Sequence, residues 1–89
     1  NDCYNASPDS MKSSMDVLSS YKTGRKIAIL GTMNELGEEA VKSHIEVGNY
    51  ALTKVDLLIA VGEYKDYFKK GFTGENIITF ATKEECIDK

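Results

Sequence analysis

His44 is the only histidine in the chain, and imidazole is the side chain whose ordinary charge change lies closest to neutral pH. It falls on the apolar stripe of a predicted helix, with no cysteine or serine spaced to make a nucleophile–base pair with it. A packed, hydrogen-bonded core histidine is therefore the default reading. Cys3 and Cys86 are the two thiols and lie at opposite ends, with no CxxC or Cys/His spacing that would suit zinc. They could pair, but reduced thiols are the plainer reading. Glu35, Glu38 and Glu39 cluster at a predicted helix start, where they complement the helix dipole without needing a metal. The run Gly31 to Gly37 is neither GxGxxG nor GxxxxGK[ST]. Gly31 and Gly62 follow predicted strands and are read as tight-turn residues, so any triphosphate chemistry must draw on groups from elsewhere. Asn5-Ala6-Ser7 matches the N-glycosylation pattern, but Pro8 follows and nothing signals secretion, which makes it a chance match.

The elements that must hold these residues follow from periodicity and punctuation. Ser7-Pro8-Asp9 reads as a helix start: serine caps, proline tolerates the first position and aspartate suits the positive dipole end. Met11, Met15 and Leu18 then give one apolar face, and Gly24 marks the exit. Lys26 to Leu30 reads as a short strand, its apolar run fitting burial on both faces. A second helix opens at Glu38-Glu39 and is predicted to bury Val41, His44, Ile45, Gly48, Ala51 and Leu52. Asp56 to Val61 is the next strand, stopped by Gly62. Tyr64, Tyr67 and Phe68 mark a short third helix that Gly71 would close as a left-handed cap. Asn76 to Phe80 is the third strand. Thr82-Lys83-Glu84-Glu85 is a capping box in which Thr82 caps and Glu85 reaches back.

This order, α-β-α-β-α-β-α, predicts an α/β fold: a three-layer α/β/α Rossmann-like domain with a mostly parallel sheet and right-handed crossovers. Ligands of such sheets sit at the carboxyl ends of the strands. That directs attention to Gly31–Gly37, to Gly62-Glu63 and to the Ala81-Thr82 turn, and to Asp2–Asn5 if a strand precedes Asn1. Composition sets the outer limits. The chain has 89 residues, 42% hydrophobic and 28% charged, with one proline and no tryptophan, which suits one small folded domain and excludes a disordered tail or a coiled coil. With 11 basic and 14 acidic residues, and no basic cluster larger than a pair, the sequence argues against nucleic acid or an anionic membrane as partner. The longest apolar run, Leu57 to Val61, is far too short to span a bilayer. The chain opens on Asn1 in polar sequence, without an initiating methionine or an apolar signal segment, and reads as an excised piece.

Two stretches carry a resemblance. Asp2-Cys3-Tyr4-Asn5-Ala6-Ser7-Pro8-Asp9-Ser10-Met11 is similar to the D-x-Y-N-A-[NS]-P-x-S-M motif that opens the C-terminal domain of the Mur ligases. The branch it resembles is the MurF type, which adds D-alanyl-D-alanine to UDP-N-acetylmuramoyl-tripeptide. Gly24-Arg25-Lys26-Ile27-Ala28-Ile29-Leu30-Gly31-Thr32-Met33-Asn34-Glu35-Leu36-Gly37 resembles the same branch's G-R-K-[IV]-A-[VI]-L-G-[DE]-M-x-E-L-G, and His44 with Val47-Gly48 falls on its H-x-x-V-G. The likeness covers residues 2–18 and 24–48, is looser through Gly62, and is generic beyond.

The resemblance implies that residues 1–89 are part of the third domain of a bacterial, cytoplasmic enzyme of peptidoglycan synthesis, without its N-terminal and central ATPase domains. It implies ATP and Mg²⁺ as cofactors, held mainly by the central domain, and an acyl phosphate on the tripeptide that the amine of D-alanyl-D-alanine attacks. The C-terminal domain acts as a lid, so the chain alone is expected to be inactive and to hold no catalytic residue. Asp2 falls on the family aspartate that contacts the ATP ribose, and Tyr4 and Asn5 occupy the same loop of the nucleotide cleft. Ser7 stands where many members have Asn, and Thr32 where they have an acid. The comparison also implies a first strand ahead of Asn1 and further elements after Lys89, hence open sheet edges and marginal stability. Two other readings compete: a stand-alone α/β module for nucleotide sensing or protein interaction, and a Mur-family ligase with another amino-acid substrate.

Overall fold

The computed structural model describes residues 3–4, 7–33, 36–82 and 84–85, with the backbone alone for 3–4. Its elements run β1 (Cys3–Tyr4), α1 (Pro8–Ser19), β2 (Ile27–Leu30), a 3₁₀ turn (Gly37–Glu39), α2 (Ala40–Ala51), β3 (Leu57–Val61), α3 (Lys65–Gly71) and β4 (Ile77–Phe80). The strands form one parallel sheet in the order β1-β2-β3-β4. The α/β class and the parallel sheet are therefore as the sequence predicts. Cys3–Tyr4 adds a strand, paired with Ile29 and Leu30, that the apolar runs of the sequence do not indicate. Two residues in polar surroundings are too short to register as a periodic run.

Several local predictions are met by the hydrogen bonds they require. Ser7 caps α1 by accepting from the Ser10 backbone N–H at 3.2 Å, with Pro8 in the first turn. The capping box closes both ways: Thr82 Oγ1 accepts from the Glu85 N–H, and Glu85 Oε1 accepts from the Thr82 N–H, each at 3.2 Å.

A parallel sheet that grows in one direction through right-handed crossovers places every crossover helix on the same face. Accordingly Ala28, Leu30, Leu58 and Ala60 join Met11, Met15, Val47, Ala51, Phe68 and Phe72 in a single core. The alternate residues Ile27, Ile29, Leu57 and Ile59 are only half-buried, and Ile78 on β4 is exposed. The strands are thus covered on one face rather than two, and among the described residues no second helical layer is present.

Two further corrections concern helix faces. The buried stripe of α2 is Ala40, His44, Val47, Gly48 and Ala51, while Val41 is 40% exposed. Counted from Ala40, spacings of four, seven, eight and eleven define that stripe, and they leave Val41 to one side of it. Gly71 is not a left-handed cap; the positive-φ glycines are Gly24, Gly37 and Gly62. A Cβ on Gly71 would run into the Ile45 carbonyl oxygen and lie 2.8 Å from the Asn49 nitrogen. Gly48 faces α3 similarly, with a Cβ there meeting the Phe68 carbonyl. The two glycines let α2 and α3 approach backbone to backbone.

Candidate functional site at the carboxyl edge of the sheet

Because all strands point the same way, their carboxyl ends share one edge. The register aligns Tyr4 with Leu30, Leu30 with Ala60 and Val61 with Phe80. Three loops therefore leave the edge side by side: Gly31-Thr32-Met33 after β2, Gly62-Glu63-Tyr64 after β3 and Ala81-Thr82 after β4. Gly62 turns with φ +105°, a conformation that side chains disfavour, and its N–H donates to the Phe80 carbonyl at 3.0 Å. It also has no room for a side chain, since a Cβ would stand 2.5 Å from Thr32 Oγ1. That hydroxyl is buried and has no hydrogen-bond partner among the described residues.

Of the three predicted nucleotide-binding residues, Tyr4 is the last residue of β1 and so reaches this edge beside Leu30. Asp2 and Asn5 lie outside the described residues, as do Cys86, and with it any Cys3–Cys86 pairing, and Glu35 of the acidic cluster. Glu38 and Glu39 are exposed in the 3₁₀ turn. Among the described residues, no three His, Cys, Asp or Glu side chains converge in a way that would hold a metal ion.

The sequence missed the polar centre of the edge. His44 is fully buried. Its Nδ1 lies 2.5 Å from the Ala40 carbonyl oxygen, and the Met33 backbone N–H donates to its Nε2 at 2.9 Å. Its ring stacks on Tyr64 at 4.3 Å and 15°, and meets Phe68 edge-on at 5.0 Å. Burial pushes the imidazole pKa below its ordinary 6.5, against a smaller opposing effect of the Ala40 hydrogen bond. The helical stripe placed His44 in the core, but nothing local pointed to Met33, eleven residues away in sequence.

A shallow cleft of about 190 Å³ lies at the opposite edge, lined by Leu52, Val55, Asp56, Phe72, Gly74, Glu75 and Asn76. It adjoins the amino ends of β3 and β4, away from the edge where ligands of parallel sheets gather. No described helix is long and apolar enough to cross a membrane.

The fold and its edge have close counterparts. The chain is 36% identical over 88 residues to the UDP-N-acetylmuramoyl-tripeptide–D-alanyl-D-alanine ligase of Haemophilus influenzae, a match covering 98% of this chain and 18% of that protein. It is 36% identical over 93 residues to the ligase of the same name from Bacillus subtilis, covering 98% and 20%. Among solved structures, it superposes on a crystal structure of MurF from Acinetobacter baumannii with a TM-score of 0.83 at 30% identity, over 98% of this chain and 19% of that one. The chain thus spans about a fifth of the length of the relatives it matches. The family described as "Mur ligase, glutamate ligase domain" matches residues 1–89, from end to end, and the chain belongs to that family.

Proposed function

We propose that residues 1–89 are part of the C-terminal, third domain of an ATP-dependent ligase that joins D-alanyl-D-alanine to UDP-N-acetylmuramoyl-tripeptide in the bacterial cytoplasm. The observation that carries this reading is the match along 98% of the chain to ligases of that printed activity. ATP, bound with Mg²⁺ mainly by the central domain, supplies the phosphoryl group that activates the tripeptide carboxylate. The part this chain plays is that of a lid. Its carboxyl edge closes over the nucleotide and the dipeptide, excludes water from the activated carboxylate and holds the amine in line. Asp2, Tyr4 and Asn5 are the residues proposed to meet the nucleotide, with the Asp2 carboxylate accepting hydrogen bonds from the ribose hydroxyls. The end of β1 at Tyr4, beside the loops after β2 and β3, supports that assignment.

The decisive experiment uses the complete reading frame that carries these residues. The complete protein should join the dipeptide to the tripeptide with ATP, while the 89-residue chain should neither ligate nor hydrolyse ATP. Asp2→Ala removes a hydrogen bond to a charged group worth about 1.5–3 kcal/mol. It should therefore lower kcat/KM for ATP about tenfold or more. Unchanged ATP kinetics would reject the role of Asp2, and a complete protein that ligates another amino acid would reject the substrate assignment.

A further inference from the structure

The three loops at the carboxyl edge can serve as a lid surface only if something fixes them relative to one another. Phe80 accepts from Gly62 N–H and so ties β4 to the turn after β3. Between the loops after β2 and β3, where Thr32 lies against Gly62, a hydrogen-bonded link runs through His44. Its two hydrogen bonds determine its tautomer by elementary chemistry: a backbone carbonyl only accepts and a backbone N–H only donates. Nδ1 beside the Ala40 oxygen must therefore carry the proton, and Nε2 facing the Met33 N–H must be bare. The same ring lies flat against Tyr64, two residues after Gly62 in the neighbouring loop. A hydrocarbon side chain could fill this space and stack equally well. It could not accept the Met33 N–H, which would be left beside a fully buried ring without its partner.

We propose that His44 is a positioning residue of the lid: its Nδ1–H tautomer anchors Met33 to the first turn of α2, and its face on Tyr64 joins the loops after β2 and β3 into one rigid edge. The inference rests on the reading that this edge faces the nucleotide and the dipeptide. It assigns His44 no contact with substrate or with the reacting atoms.

The first test uses the ¹⁵N-labelled 89-residue chain. Long-range ¹H–¹⁵N correlation at neutral pH should show a protonated Nδ1 and a bare Nε2; the opposite tautomer, or an imidazolium, would overturn the proposal. The Met33 amide should be protected from hydrogen exchange. It should lose about tenfold or more of that protection in His44→Phe and keep it in His44→Gln, whose amide oxygen can still accept the Met33 N–H. The second test uses the complete ligase. There kcat/KM for ATP and dipeptide should fall about tenfold or more in His44→Phe and return to within about threefold of wild type in His44→Gln. Equal kinetics in wild type and His44→Phe, or a loss of the same size in both variants, would show that the acceptor does not position the edge. If His44→Phe fails to fold, the His44→Gln kinetics and the wild-type tautomer decide. Absence of ligation by the wild-type protein would sink the function proposed above, and would leave the tautomer and exchange results standing on their own.

Discussion

Replacing Gly71 by alanine tests whether the α2–α3 contact is set by backbone approach rather than by helix capping. The new Cβ would lie 2.8 Å from the Asn49 nitrogen and 2.9 Å from the Ile45 carbonyl carbon, and closer still to the Ile45 oxygen. Favourable contacts begin near 3.5 Å, so the helices must separate by about 0.7 Å or more. All of these atoms are backbone, and none can swing aside as a side chain does. Separation would strain the hydrogen bond that Asn49 Nδ2 donates to the Gly71 carbonyl at 3.3 Å, and would loosen the seam around the fully buried Phe68. Overpacking of this kind costs about 1–3 kcal/mol, while alanine returns up to about 1 kcal/mol of helix propensity. We expect a net loss of about 2 kcal/mol, read by thermal and urea denaturation followed by circular dichroism. At about 4–8 °C per kcal/mol for a domain of this size, Tm should fall by about 8–16 °C. Gly48→Ala, whose Cβ would meet Phe68 backbone atoms at 3.0 and 3.1 Å as well as the carbonyl oxygen, should behave alike. The double variant should lose less than the two single losses combined, because one separation relieves both clashes. Gly74→Ala is the control: its Cβ would meet the tip of Leu52 at 3.2 Å, a side chain that can yield, so stability should stay within about 0.5 kcal/mol of wild type. A Gly71→Ala chain as stable as wild type, or more so, would refute the reasoning and return Gly71 to the status of a cap.

Other consequences are simpler. His44 has a folded pKa below its unfolded value near 6.5, so its contribution to stability is fully present above about pH 6.5. It is lost as the pH drops from there toward the folded pKa, with a slope of at most about 1.4 kcal/mol per pH unit, and His44→Gln should flatten that slope in urea titrations begun at pH 7 and carried downward. The Tyr50 hydroxyl donates to Asp16 Oδ1 at 2.6 Å and is the main cause of the lowered Asp16 pKa, with Lys54 adding to it. Tyr50→Phe should therefore raise the Asp16 carboxyl toward the ordinary range in an NMR titration, and an unmoved titration would discount the bond. Ile78 is 45% exposed on the sheet face opposite the helices, so Ile78→Lys in the 89-residue chain should change stability by no more than about 0.5 kcal/mol and reduce binding of a hydrophobic dye.

What the sequence made legible is what short-range physics decides. The Ser7 cap and the Thr82–Glu85 box were readable because donor, acceptor and spacing all lie within one turn. The three apolar runs were readable as strands, and their shared direction followed from the helical crossovers. The residues misread are those whose reason lies across the fold. Gly71 looks like a cap because glycine after a helix usually is one, and only the position of Ile45 in space gives it another purpose. Val41 looks core-facing, but the packing of α2 against the sheet and α3 buries Ala40 and Val47 instead. The composition of the strands suggests burial on both faces, but among the described residues the one-way strand order puts the helices on one. At the candidate site, the carboxyl edge was predictable from topology alone. The Met33–His44–Tyr64 connection was not, because it joins three elements that no sequence period relates.

The glycine seam and the histidine link are one mechanical device. Tyr64 directly precedes α3, and α3 is seated on α2 by the absence of side chains at Gly48 and Gly71. His44 projects from the same stripe of α2 as Gly48, one turn nearer its amino end, and packs against both Tyr64 and Phe68. The distance between the two helices therefore sets how closely the Tyr64 ring can lie on the imidazole. The imidazole in turn sets where Met33 is held. A lid that orders reacting groups gains rate only to the extent that its own surface does not rearrange when it closes. Rigidity at the edge then comes from helices packed at backbone distance, with a doubly hydrogen-bonded ring carrying that close fit to the loops.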